Sequence, residues 1–261
     1  MTSPTPERAV SVLSCAGVPI AAIGPIDAVR LLLDKAKTTG TSGTGYEVHL
    51  CNTYTLALAD SDDDYRHLLQ GADLNLADGT PVVWANRLMH RGEAAPHDRV
   101  RGPSLFVDVL DAGQREGIRH YLLGSTPDTL DALRAQIARR FPDALVVGAA
   151  SPPFRALADD ERAEQNRRIA ESGAQIVWVG LGTPKQDHEC ARLADELPIV
   201  AVAVGAAFDF VAGTIDEAPV WMQERGVEWI HRFAAEPGRL WRRYLIGGPR
   251  FVKAVVVRRE R

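Results

Sequence analysis

Cysteine is scarce in this 261-residue chain: Cys15, Cys51 and Cys190 are odd in number, scattered, and outside any metal-ligand spacing. A disulfide framework is excluded, a structural zinc has no ligand set, and a reducing cytoplasm is the natural setting. Long apolar runs are missing too. None approaches the roughly 20 residues that span a bilayer, and the first eight residues lack the basic-then-apolar order of a secretion signal. Phosphate-binding and hydrolytic signatures are equally absent. There is no Gly-Lys-Ser/Thr of a Walker loop and no Gly-x-Ser-x-Gly elbow. Gly180-Leu181-Gly182 has Lys185 where a dinucleotide fingerprint needs its third glycine. The seven histidines form no metal-binding pair on one helix face, and most of them read as surface or loop residues. No Asp-x-Asp sits at a strand end, and Asp62-Asp63-Asp64 reads as a solvated helix face. No metal and no cofactor are therefore expected.

What is present describes an ordinary globular protein, 46% hydrophobic and 25% charged, of a size for one domain or one domain with an appendage. The net charge of −4 is unevenly spread: residues 239–261 carry eight basic residues against one acid, a net +7, leaving −11 on the rest. An acidic body argues against nucleic acid as a partner, and a basic tail points to an anionic surface or to a solvated terminus. Residues 1–217 are expected to form the core and 218–261 a basic appendage.

The hydrophobic pattern alternates between strand and helix. Two apolar pieces around Gly17 predict an N-terminal hairpin over 10–23. Helices are expected at 26–37, 55–70, 82–89, 128–140, 159–172 and 186–195, with a loop at 39–45. Strands are expected at 47–51, 73–77, 120–123, 144–147, 174–179 and 199–204. That order predicts an α/β fold, a Rossmann-like, mostly parallel, doubly wound sheet. Several strands end in glycine or turn residues, and in such sheets the carboxyl edge is where ligands bind.

The apolar stretch 174–179 runs into Gly180-Leu181-Gly182-Thr183-Pro184-Lys185-Gln186, a tight loop offering a hydroxyl, a cation and an amide to a phosphate and a sugar. Gly124 and Ser125 end another strand on the same edge. Asp78 ends the strand at 73–77, and two roles are open to it: acid–base chemistry or capping of the next helix. Arg99 and Arg101, in the loop before a further helix, suit a diphosphate through the planar guanidinium fork, or an ordinary salt bridge. Between Pro237 and Gly247, Leu240, Trp241, Tyr244 and Leu245 recur at helical spacing with Arg239, Arg242 and Arg243 beside them. Such a pattern fits an interfacial amphipathic helix, with Arg250 adding charge, or a face packed on the core or on a second subunit.

The motifs 51–57, 76–85, 99–105, 121–127, 151–154, 179–186, 204–210, 218–223 and 226–229 resemble, in order, those of the WecG/TagA/CpsF glycosyltransferases. The resemblance implies transfer of N-acetylmannosamine or a relative, with inversion, from a UDP-sugar donor to a polyprenyl-diphosphate-linked sugar acceptor at the inner face of the cell membrane. It identifies Asp78 with the family's proposed base, Arg99 with its diphosphate-binding arginine and Gln186 with its active-site glutamine. Asn52 matches a motif asparagine. Thr53, Thr80, Pro153, Gly180, Gly205, Phe208 and Asp209 fall within the matching motifs as further substrate-side residues. One departure stands out: many members carry threonine two residues before the asparagine, where this chain has Leu50, so Thr53 is the candidate replacement hydroxyl. A nucleotide-sugar-binding regulator and a UDP-sugar hydrolase are the rival functions, and a homo-oligomer is left open.

Overall fold

The computed structural model describes residues 10–90 and 98–258; His97, Arg259, Glu260 and Arg261 lie outside them. The hairpin forms as expected, with β1 (Val12–Cys15) antiparallel to β2 (Val18–Ala21). It is followed by α1 (Pro25–Ser42), β3 (Tyr46–Cys51), α2 (Thr53–Ser61), α3 (Asp63–Gly71), β4 (Leu74–Ala77), α4 (Thr80–Met89) and α5 (Gly102–Gln114). The middle of the chain alternates strictly: β5 (Arg119–Gly124), α6 (Pro127–Arg140), β6 (Leu145–Ala150), α7 (Asp159–Ser172), β7 (Ile176–Gly180), α8 (Lys185–Glu196), β8 (Val200–Ala203) and α9 (Ala207–Ala212). Four short helices close the described chain: α10 (Val220–Glu224), α11 (Glu228–Ala235), α12 (Pro237–Trp241) and α13 (Gly247–Val257), with a π-helical turn at Arg242–Ile246.

Six strands form one parallel sheet in the order β4-β3-β8-β7-β5-β6. Side-chain alternation assigns its two faces. On β7 and β8, Ile176, Trp178, Val200 and Val202 join the core under α1, α5, α6 and α9, while Val177, Val179, Ala201 and Ala203 pack under α7 and α8. Burial on both faces explains why these strands read as continuous apolar runs. A third apolar cluster ties the hairpin to α2, α3, α4 and α13 through Val18, Ile20, Leu56, Tyr65, Phe251 and Ala254.

Two sequence expectations are corrected. The helix expected over 55–70 is two helices, because Asp62 adopts an extended backbone and its carboxylate accepts the Tyr65 N–H as the cap of α3. The Asp62–Asp64 run is thus a helix boundary. The loop expected at 39–45 is mostly helix, since α1 continues to Ser42 and stops at Gly43 in the left-handed region (φ +73°). His49 and His120, on the expected strands at 47–51 and 120–123, are fully buried, while the other described histidines are exposed or half-buried. His120 accepts the Trp178 indole N–H at 3.2 Å, and burial lowers its pKa to about 4.

Candidate active site

The carboxyl ends of β4, β3, β8 and β7 meet at one edge of the sheet, and the site is built from the first residues past each strand. After β3 comes Asn52, whose Oδ1 accepts the N–H groups of Tyr54 and Thr55 and so starts α2. After β7 comes the loop to α8, where the Gly182 N–H donates to Gln186 Oε1 at 3.1 Å. Gln186 is buried and cannot leave that position cheaply. After β8 comes Gly205, with a positive φ of +58°. After β4 comes Asp78, its own N–H bound to the Cys51 carbonyl at 2.9 Å.

Asp78 does not cap α4. The cap position belongs to Gly79, which carries no side-chain hydrogen bond, and the Asp78 carboxylate has no hydrogen-bond partner among the described residues. Burial raises its pKa above the ordinary carboxylate value; Arg99 opposes that shift and the neighbouring Glu228 adds to it. The capping alternative is thereby removed, leaving a destabilised, half-open carboxylate at a strand end.

Asp78 stands between two cavities. One, of about 130 Å³, is polar and is lined on the sheet side by Gly182, Thr183, Gln186 and Gly205. The other, of about 390 Å³, is more apolar and takes Thr53, Thr80, Pro81, Arg99, Trp229, Phe251 and Val252. Asn52, Asp78, Glu228, Arg232 and Arg243 belong to both.

The arginines are supplied by two routes. The segment bearing Arg99 and Arg101 runs beside β4, held by the Val100 N–H on the Ala77 carbonyl at 2.8 Å. Arg99 donates to Glu228 Oε2 at 3.0 Å and to the Gln223 carbonyl at 3.1 Å. Arg101, buried, donates to the same Glu228 carboxylate and to Glu217 Oε2 at 2.9 Å. Burial would raise the Glu228 pKa, but the two guanidinium groups outweigh it and hold it below the usual range. Both alternatives for these arginines therefore coexist: they are paired, yet paired inside the cleft. Arg232 lies over the Phe210 ring at 5.2 Å and Arg243 over the Tyr54 ring at 5.3 Å, both from the C-terminal helices.

Not every expected residue reaches the cavities. Gly124 lies against Gly180, where an added Cβ would come within 2.5 Å of the Gly180 carbonyl oxygen. Ser125 donates its N–H to that same carbonyl at 3.1 Å. Both belong to the edge one strand away and line neither cavity. Gly180 itself is required by Phe208, whose ring would sit 2.8 Å from a Cβ there. Phe208 is a core residue, fully buried 5.6 Å from Phe106, and has no surface to offer a substrate. Lys185 and Pro153 are exposed outside both cavities, and the Asp209 carbonyl is engaged by Thr214. Leu50 lines the polar cavity while Thr53 lines the apolar one, so their side chains are not interchangeable in position.

Sequence reading quoted Glu228 only within the 226–229 motif and gave it no role, missed Arg232, and placed Arg243 on the membrane face. They come from helices beyond the sheet, where the strand-end rule gives no signal. Trp241 and Arg250 are exposed, and the side chains of Arg239 and Arg242 lie outside the described set. Among the described residues, no three His, Cys, Asp or Glu side chains converge as a metal-ligand set.

A doubly wound parallel sheet with an unpaired carboxylate among four arginines at its carboxyl edge defines an α/β protein with a charged cleft where such sheets bind ligands. The model of the WecG/TagA/CpsF glycosyl transferase family matches residues 13–261, and the chain belongs to that family. It is a glycosyltransferase of cell-surface polysaccharide synthesis, a class that uses a nucleotide-sugar donor and a lipid-linked acceptor.

Proposed function

We propose that this enzyme transfers N-acetylmannosamine or a relative from a UDP-sugar to a polyprenyl-diphosphate-linked sugar, with inversion. The observation that carries the reading is Asp78: an unpaired, raised-pKa carboxylate between a polar and an apolar cavity. The donor occupies the polar side, with its diphosphate near Arg232 and its nucleotide toward Gly182, Thr183, Gln186 and Gly205. The acceptor sugar enters from the apolar side past Asn52, Thr53 and Arg99. Asp78 takes the proton of the acceptor hydroxyl as that oxygen forms a bond to the anomeric carbon. The bond from that carbon to the UDP oxygen breaks, and the electron pair leaves with UDP. Arginine charge at the departing oxygen is the stabilisation such a step needs. A carboxylate of ordinary pKa is a weak base at neutral pH, so the upward shift at Asp78 serves the proton transfer.

Residues 218–261 are proposed to rest on the inner face of the cell membrane. Trp229, Ile230, Leu245, Val252, Val256 and Val257 are exposed on the same run of helices, with Arg250 and Lys253 among them. No helix among the described residues is long and apolar enough to cross a membrane. Incubation with UDP-sugars, with and without lipid acceptor, tests the reaction. Acceptor-dependent UDP release is expected; acceptor-independent release would make the protein a hydrolase, and binding without release a regulator.

A further inference from the structure

Beside the apolar cavity lies a separate hollow of about 330 Å³ that the reaction above does not use. One wall is α2, through Tyr54, Ala57, Leu58 and Ser61; the other is the turn from α12 into α13, through Trp241, Ile246 and Gly247. Its lining is neutral apart from Arg250. The two hollows share their walls in sequence. Asn52 and Thr53 line the Asp78 cavity and Tyr54 the groove, while Gly247 lines the groove and Gly248 the cavity. Arg243, 5.3 Å over the Tyr54 ring, stands at the junction and itself lines the Asp78 cavity. One turn of α2 thus separates an arginine-bearing cavity from an apolar groove.

We infer that this groove holds the first isoprene units of the acceptor, the hydrocarbon attached to the diphosphate; the inference rests on the acceptor class proposed above. A diphosphate held by Arg243 and Arg99 must send its chain out of the cavity, and the groove is the adjoining apolar surface. The chemistry of the walls excludes a peptide strand as occupant. Both walls are helical and present no strand edge, and only Tyr54, Ser61, Trp241 and Arg250 offer polar side-chain atoms. Arg250 in the lining and Arg243 at the junction complement a chain that carries its anionic charge at one end.

Calorimetry with farnesyl diphosphate and with inorganic diphosphate reads the groove without turnover. Wild type is expected to bind farnesyl diphosphate about tenfold or more tightly, because burying several methylene equivalents favours binding by at least that factor. Leu58→Asp and, separately, Ile246→Glu should abolish that preference while leaving inorganic diphosphate affinity unchanged. Kinetics with acceptors of one head group and increasing isoprene number should show KM falling with length and kcat flat in wild type, and no length dependence in the variants. Equal binding of the two diphosphates by wild type would overturn the inference. So would a preference retained by both folded variants, or variants that lose binding to anionic vesicles yet keep the farnesyl preference, which would make the groove a membrane contact. Failure of every acceptor to support UDP release, with the farnesyl preference intact, would instead sink the proposed reaction and leave the groove standing.

Discussion

Asp78 is a residue whose charge the fold tolerates at a cost. Its folded pKa is raised, so the group favours the folded state least when ionised, and that cost grows as pH rises through the folded value. Asp78→Asn removes the cost and keeps the shape. Turnover is expected to fall roughly 10²–10⁴-fold while thermal stability at neutral pH rises, measured by steady-state kinetics beside calorimetric melting. A loss of both activity and stability would assign Asp78 a packing role. Glu228 behaves oppositely, because Arg101 and Arg99 lower its pKa; its contribution to stability is present above the ordinary carboxylate range and is lost on acidification through the lowered value. Glu228→Gln removes the like charge near Asp78, so the acidic limb of the kcat/KM profile should move to lower pH. An unmoved limb would show that Glu228 does not tune the base.

At the scale of elements, α8 is pinned to the sheet by a buried ionic chain. His49 is fully buried on β3, with Nδ1 3.1 Å from Asp187 Oδ1 and Nε2 3.1 Å from Glu47 Oε2; Tyr65 donates to Asp187 Oδ2 at 2.8 Å. Burial lowers the His49 pKa, but the two carboxylates outweigh it and raise it to about 9. The pair's stabilisation is therefore complete below the ordinary histidine value of about 6.5 and is lost as pH rises toward 9. Melting temperature should decline across that window. Asp187→Asn should destabilise by about 3–5 kcal/mol, the usual cost of stranding one partner of a buried pair, and flatten the decline. Because Asp187 follows Gln186, the same variant should weaken donor binding. A second element carries its own test. Gly182 has φ +78° and open space around it, so Gly182→Val strains the backbone by about 1–2 kcal/mol without a clash. UDP affinity measured by calorimetry is expected to drop; unchanged affinity would move the nucleotide away from this loop.

Over the whole molecule, the C-terminal helices do two things at once. Phe251 and Ala254 are buried against α2 and the hairpin, and Arg258 pairs with Asp60 at 2.8 Å. Leu240 is buried too, whereas Trp241 and Leu245 are exposed. The amphipathic segment is therefore split: part packs on the core and part faces outward. Deleting it would open the core, so charge reversal on the outer face is the cleaner probe. Val256→Glu with Lys253→Glu should leave melting within about 0.5 kcal/mol, as surface changes usually do, and reduce sedimentation with anionic vesicles several-fold. Each basic residue near such a surface contributes on the order of 1 kcal/mol, and rising salt should weaken wild-type binding. Indifference to lipid charge would reject the membrane role.

The sequence by itself determined the alternation of strands and helices, because burial on both faces forces apolar runs such as 174–179 and leaves glycine at their ends. It also located Asp78, Arg99 and Gln186, since strand ends and motifs are local features. It could not remove the capping role of Asp78, because a strand-end aspartate before a helix looks like a cap until the cap is seen to belong to Gly79. Nor could it separate Gly180, needed by the Phe208 ring, from Gly182, which lines a cavity. That Glu228, Arg232 and Arg243 share a cavity with Asp78 was beyond it altogether. They reach Asp78 from helices more than 140 residues further along the chain, and only the packing of α13 on α2 and the hairpin brings that stretch back over the sheet edge. Local pattern records which residues a backbone can bury; which charges share a cavity is set by long-range packing, and only the tertiary structure decides it.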